Sequence, residues 1–135
     1  MSTEAVPKPR ITWTTVWLLF PFITNQAGFD TGITIANISL DPFGTKPDEG
    51  GATLHFYGDR APEPKHTGTI TPGTVWANAL QNIAPGFQGY LIAQCNFNPA
   101  RGLAVIQRVG GLDAAPYLAE ILRVDVPTLE PEIAK

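Results

Sequence analysis

The stretch that decides the fold is VWLLFPFITNQAGFDTGITIANIS, residues 16–39. A continuous apolar run gives way to a polar loop, and a second run then alternates apolar with small polar residues. Alternation of period two, bounded by Asn, Gly and Asp, marks β-strands. The first run, a strand over 13–23, sets Val16, Leu18, Phe20 and Phe22 on one face and Trp17, Leu19 and Ile23 on the other. An antiparallel strand with one wet face alternates cleanly. This one is apolar on both faces, so its second face is expected to be covered.

Working outward, the same pattern recurs. Strands are expected over 29–39, with Ile33 and Ile35 inward, and over 52–57, with Leu54 and Phe56 inward and Thr53, His55 and Tyr57 outward. Further strands follow over 67–70, 74–80, 90–97, 103–109 and 117–126. A short helix over 117–123 competes for the last, because Leu118, Ile121 and Leu122 also fit a helical period. Thirteen Gly and thirteen Pro punctuate the chain and supply the turns. Residues 1–12 read as an extended arm, since Pro7 and Pro9 oppose both helix and central strand. Residues 127–135 read as a loose polar tail. Seven to eight short strands over 13–126 define an all-β chain, a single antiparallel β-sandwich of immunoglobulin-like or jelly-roll type.

Composition bounds the function. A chain of 135 residues can bury a core without staples. Charged residues make up 16%, against about 25% in ordinary soluble domains, and Thr, Asn, Gln and Gly take their place. Such a surface suits a subunit packed among other subunits, or an extracellular module. Nine basic residues form no stripe, which speaks against nucleic acid as a partner. The apolar run 16–23 is too short to span a bilayer, so no membrane insertion is expected. The first ten residues, MSTEAVPKPR, lack the apolar core of a signal peptide.

The segments FPFITNQAGFDTGITIANIS, ATLHFYG, ITPGTVW and APGFQGYLIAQCNF together resemble a pattern of secreted bacterial β-sandwich modules, over residues 18–109. The resemblance implies a non-enzymatic part of an extracellular or cell-surface protein, with no catalytic residues to carry over. In such modules a cysteine often stands in the strand that here begins at Ala52 and can pair with the cysteine of the A-x-CNF strand. With Ala52 in that place, Cys95 has no such partner.

No constellation for chemistry stands out. Cys95 is the single cysteine and follows the inward alternation of Leu91 and Ala93, as a small buried hydrophobe does. His55 and His66 read as surface histidines, short of the three or four ligands that zinc takes. Asp41, Asp48 and Glu49 share a loop without the spacing of a calcium site. Asp30 is expected to bond its own loop backbone. Asn37-Ile38-Ser39 matches a glycosylation sequon, though an Asn closing a strand is the simpler reading. No nucleophile elbow, metalloprotease motif or phosphate loop is present, so neither enzymatic activity nor a cofactor is expected.

The leading expectation is a self-associating structural subunit of a ring, shell or filament, using Trp13, Trp17, Leu19 and Ile23, with the arm 1–12 reaching a neighbour. The alternative is an extracellular adhesion module that binds a glycan by stacking it on Trp76 and Tyr57.

Overall fold

The computed structural model describes residues 10–11, 14–126 and 129–130. Its strands are β1 (Arg10–Ile11), β2 (Thr15–Thr24), β3 (Phe29–Asn37), β4 (Gly50–Asp59), β5 (Lys65–Ile70), β6 (Val75–Ala79), β7 (Gln88–Cys95), β8 (Ala100–Arg108), β9 (Ala114–Leu118), β10 (Glu120–Asp125) and β11 (Leu129–Glu130). One four-residue helix, α1 (Leu80–Ile83), follows β6. A five-stranded sheet in the order β10-β2-β7-β4-β5 packs on a four-stranded sheet in the order β6-β3-β8-β9, and all pairings are antiparallel. The fold is an all-β sandwich.

The core lies between the sheets. Val16, Leu18 and Phe20 from β2, Leu54 and Phe56 from β4, and Leu91, Ala93 and Cys95 from β7 meet Ile33 and Ile35 from β3 and Ala104 from β8. Phe87 and Phe97, in the segments flanking β7, and Leu80 on α1 seal the ends. Each of these aromatic side chains contributes about 1.5–3 kcal/mol when fully buried. The turn of helix breaks the strand expected over 74–80 after five residues; four residues are too few for a helical period to register in the sequence.

Two expectations for the strands are corrected. First, Ile23 is fully buried and Phe22 is 46% exposed, the reverse of their expected placement. Register shifts between Phe20 and Ile23, at Pro21, which has no N–H to offer a ladder. A proline in a strand paired on both sides belongs at a bulge, and a bulge inverts the parity of every residue beyond it. Second, the single element expected over 117–126 is two strands in different sheets. β9 closes the four-stranded sheet beside β8, the chain turns at Ala119, and β10 closes the five-stranded sheet beside β2. Two bonds clasp the corner: Ala119 N–H to Gly102 O at 2.9 Å and Tyr117 Oη–H to Phe22 O at 2.7 Å. The competing helix is absent.

Residues 10–11 of the arm pair with residues 129–130 of the tail. This two-stranded ribbon has the same register as the near end of the β2–β10 ladder. Arg10 faces Glu130, Ile11 faces Leu129, Thr15 faces Asp125 and Trp17 faces Arg123.

Candidate functional site

The outer face of the five-stranded sheet carries Trp17, Leu19 and Tyr57, together with His55 and His66. Its rows can be read from the register. Arg123, Trp17, Gln94, Thr53 and His66 face one another in succession from β10 to β5. The next row runs Glu120, Leu19, Ile92 and His55, and beyond it Tyr90 faces Tyr57. The aromatic groups pair: Trp17 stacks toward His55 with ring centroids 6.5 Å apart, and Tyr57 stacks on Tyr90 at 5.2 Å. Such offset pairs are worth about 0.5–1.5 kcal/mol beyond the area they bury.

Polar atoms on this face hold the rings in place. The Trp17 indole N–H donates to Asp125 Oδ2 at 2.9 Å, and Arg123 donates from Nε and Nη2 to Asp125 Oδ1. These bonds hold the Asp125 carboxyl below its usual range, the indole contributing most. His55 Nε2 lies 3.1 Å from Gln94 Oε1, and His66 Nε2 lies 3.1 Å from Thr53 Oγ1. Together Trp17, His55, Tyr57, Ile92, Leu122 and Arg123 line an open, mainly apolar groove of about 320 Å³. Leu122 and Arg123, from the last strand of the sandwich, form one wall, so the second face of β2 is partly covered by the chain itself.

Of the four residues expected to mediate self-association, Trp17 and Leu19 lie on this face, half-buried. Ile23 is in the core and is no surface residue; Trp13 falls outside the described residues. Tyr57 is outward and 45% exposed, but its expected stacking partner Trp76 sits on β6 of the other sheet, half-buried and packed against the core. The structure therefore does not bring Trp76 and Tyr57 together. The neighbour that Tyr57 has instead is Tyr90, whose signal, the cross-strand pairing of β4 with β7, lies beyond sequence alternation.

A second face went unnoticed in the sequence. On the outside of the four-stranded sheet, Ala77, Thr34, Leu103 and Leu118 form one row and Ala79, Gly32, Val105 and Pro116 the next. Neither row carries a charge. Leu118 is 76% exposed, and Val75 at the edge of the same face 59%. The face is smooth, since half of its two central rows is Ala, Gly and Pro.

The sheet edges differ from both faces. β10 carries Glu120, Arg123 and Asp125 and a register shift between Ile121 and Arg123. β5 carries Lys65 and His66 and lies across another shift between Gly51 and Thr53. β9 holds Pro116, and β6 is five residues long. Charges, proline, bulges and brevity are the devices that keep sheet edges from pairing with other chains.

The remaining candidates for chemistry are consumed by structure. Cys95 is fully buried, directly opposite Ala52 on β4, and burial pushes its thiol up to about 12. Asp30 Oδ1 accepts from the N–H of Thr31 and of Gln81, as expected of a loop-bonding carboxylate. Asn37 is buried, with its amide donating to Asp48 O and Ile70 O and its Oδ1 accepting from Ser39; it closes a strand and a loop rather than offering itself to a glycan. Asp41 accepts from Phe43 N–H, Thr45 N–H and the Thr45 hydroxyl, and Asp48 Oδ2 from Asn98 N–H. Among the described residues no three His, Cys, Asp or Glu side chains gather closely enough to hold a metal ion, and no helix is long and apolar enough to cross a membrane. No family model, no curated protein and no solved structure matches the chain.

Proposed function

We propose that this chain is a non-enzymatic structural subunit that associates with copies of itself through its sheet faces. The observation that supports the reading best is that the two central rows on the outside of the four-stranded sheet carry no charge, and an apolar groove opens on the outside of the five-stranded sheet, while the edges are blunted. Large exposed apolar patches mark interaction surfaces. Blunted edges argue against strand addition, so side chains rather than backbone would make the contact. The low content of charge and the resemblance to secreted β-sandwich modules agree with a building block used outside the cell. Light scattering on the purified chain over a wide concentration range tests this. Concentration-dependent growth beyond 14.5 kDa is expected, weakened by Leu103→Arg with the far-ultraviolet circular dichroism unchanged. A strict monomer at millimolar concentration rejects it.

A second reading rests on the Tyr57–Tyr90 stack, whose half-exposed rings could present a platform to a glycan. Glycan-array binding lost in Tyr57→Ala and Tyr90→Ala favours it; an array without hits removes it.

A further inference from the structure

The three tyrosines of the chain have different surroundings. Tyr57 on β4 and Tyr90 on β7 face each other directly across the ladder. Their rings stack with centroids 5.2 Å apart and planes inclined by 19°. Tyr57 is 45% exposed and Tyr90 43%, so an oxidant in solution reaches both. Tyr117 lies on β9 in the other sheet, half-buried, and its hydroxyl donates to Phe22 O at 2.7 Å.

The pair also has room to move. β5 begins at Lys65, opposite Leu54, so no strand lies beside β4 at Tyr57 on the side away from β7. Exposed side chains change rotamer within nanoseconds, and a modest swing of each ring about its Cα–Cβ bond brings their edges together. The same two strands offer no disulfide, because Cys95 faces Ala52. Tyr57 and Tyr90 are therefore a facing pair on β4 and β7 whose side chains can bond to each other.

We propose that Tyr57 and Tyr90 form an oxidative cross-linking site, joined within one chain as dityrosine by a peroxide-driven one-electron oxidant. Each phenol gives one electron to the oxidant and one proton to water, leaving a phenoxyl radical with spin on the carbons ortho to oxygen. A carbon–carbon bond then forms between an ortho carbon of Tyr57 and one of Tyr90. The hydrogens on the two joined carbons pass through water to the phenolic oxygens, which restores both aromatic rings. The net loss is two electrons and two protons, which convert one hydrogen peroxide to two waters. Two radicals held side by side combine without a diffusive encounter, so the geometry favours coupling within a copy over coupling between copies. The bridge ties β4 to β7, the middle strand of its sheet, and restricts the unfolded chain as a cross-link does. It requires a single copy only and is independent of self-association.

Treatment of the dilute full chain with hydrogen peroxide and a haem peroxidase tests it, with free tyrosine in a parallel reaction as the control for coupling. The band that runs as a monomer under denaturing conditions is expected to gain the blue fluorescence of dityrosine and to lose the mass of two hydrogens. Its digest should contain one cross-linked peptide pair, holding Tyr57 and Tyr90. Tyr57→Phe and Tyr90→Phe keep the rings and the fold but supply no phenoxyl radical, so each should abolish the monomer fluorescence, while Tyr117→Phe leaves it unchanged. The isolated cross-linked monomer should unfold at a higher urea concentration than the untreated chain. The proposal is overturned if free tyrosine couples and the chain does not, if the dityrosine joins separate copies only, or if the monomer fluorescence survives in Tyr57→Phe. A urea midpoint unmoved by the bridge would refute its role as a staple.

Discussion

The two outer faces of the sandwich both expose apolar side chains, but they are constructed oppositely. The face of the five-stranded sheet carries large rings, Tyr57 stacked on Tyr90 across adjacent strands and Trp17 reaching over β7 to His55, with Asp125, Gln94 and Thr53 restraining the polar atoms of Trp17, His55 and His66. Part of that face therefore earns its composition within a single copy, through pairing. The face of the four-stranded sheet has no such internal account. Gly32, Ala36 and Ala77 lie within strands, where Gly and Ala are poor choices, and Gly32 faces Ala79 with little side chain to pack. The contrast teaches that apolar surface alone is ambiguous: a rough aromatic face stabilises its own sheet, whereas a smooth face of small residues gains only when something flat comes close.

The largest expected separation of the two faces comes from truncating one side chain on each. Trp17→Ala removes the indole–Asp125 bond and the stack on His55. It is expected to destabilise the fold by about 2 kcal/mol, below the roughly 3–5 kcal/mol of a fully buried tryptophan. Leu103→Ala on the smooth face should cost no more than about 1 kcal/mol. Urea denaturation of both variants checks this, and equal losses would erase the distinction.

Next in size is Gly32→Ile. A Cβ at Gly32 meets nothing within 4 Å in a single copy, and isoleucine suits a strand better than glycine by up to about 1 kcal/mol. The variant is therefore expected to melt at or slightly above the temperature of the unmodified chain. If the smooth face is an interface, the same branched side chain wedges it open, so association drops while stability does not. Loss of stability together with association would show instead that Gly32 is needed for the fold.

The legibility of the molecule in its sequence divides along the same line. Parity within a strand was readable: Leu54 and Phe56 in, His55 and Tyr57 out, Cys95 in. What parity cannot give is which strands are neighbours, so the Tyr57–Tyr90 stack, the Trp17–Asp125 bond across 108 positions and the small-residue rows appear only once the sheets are ordered. The reversal of Phe22 and Ile23 had a visible signal in Pro21, since a strand apolar on both faces is a central one and a central strand must bulge at proline. The corner at Ala119 had none. YLAEILRVDV, residues 117–126, reads as one strand or, over 117–123, as a short helix, and a change of sheet within one residue leaves no mark in that pattern. The buried Asn37 was legible as a strand-closing residue, but its hold on Asp48, and through it on the Phe43 loop, was not.

The smallest expected effect is one of pH. Asp125 and Asp41 are both held below the usual carboxyl value of 3.8, Asp125 chiefly by the Trp17 indole and Asp41 chiefly by the Thr45 hydroxyl. A carboxyl depressed in the folded state stabilises fully above its unfolded value, and that contribution disappears as pH falls through the folded one. The Trp17 indole N–H resonance and the Phe43 amide resonance should therefore move only below about pH 4, while the amides of Gly32 and Val105 on the smooth face stay fixed. A Trp17 shift centred above about pH 5 would show that Asp125 is not what moves it.

The register that the Arg10–Glu130 ribbon shares with the Thr15–Asp125 end of the β2–β10 ladder has a mechanical consequence. The first and last strands of the sandwich are neighbours, and the chain enters one and leaves the other at the same end of the ladder. Tension applied between residues 10 and 130 does not shear the whole ladder at once. It opens the ribbon and then β2 from β10 one pair at a time, as a zip opens, and such geometry yields at low force.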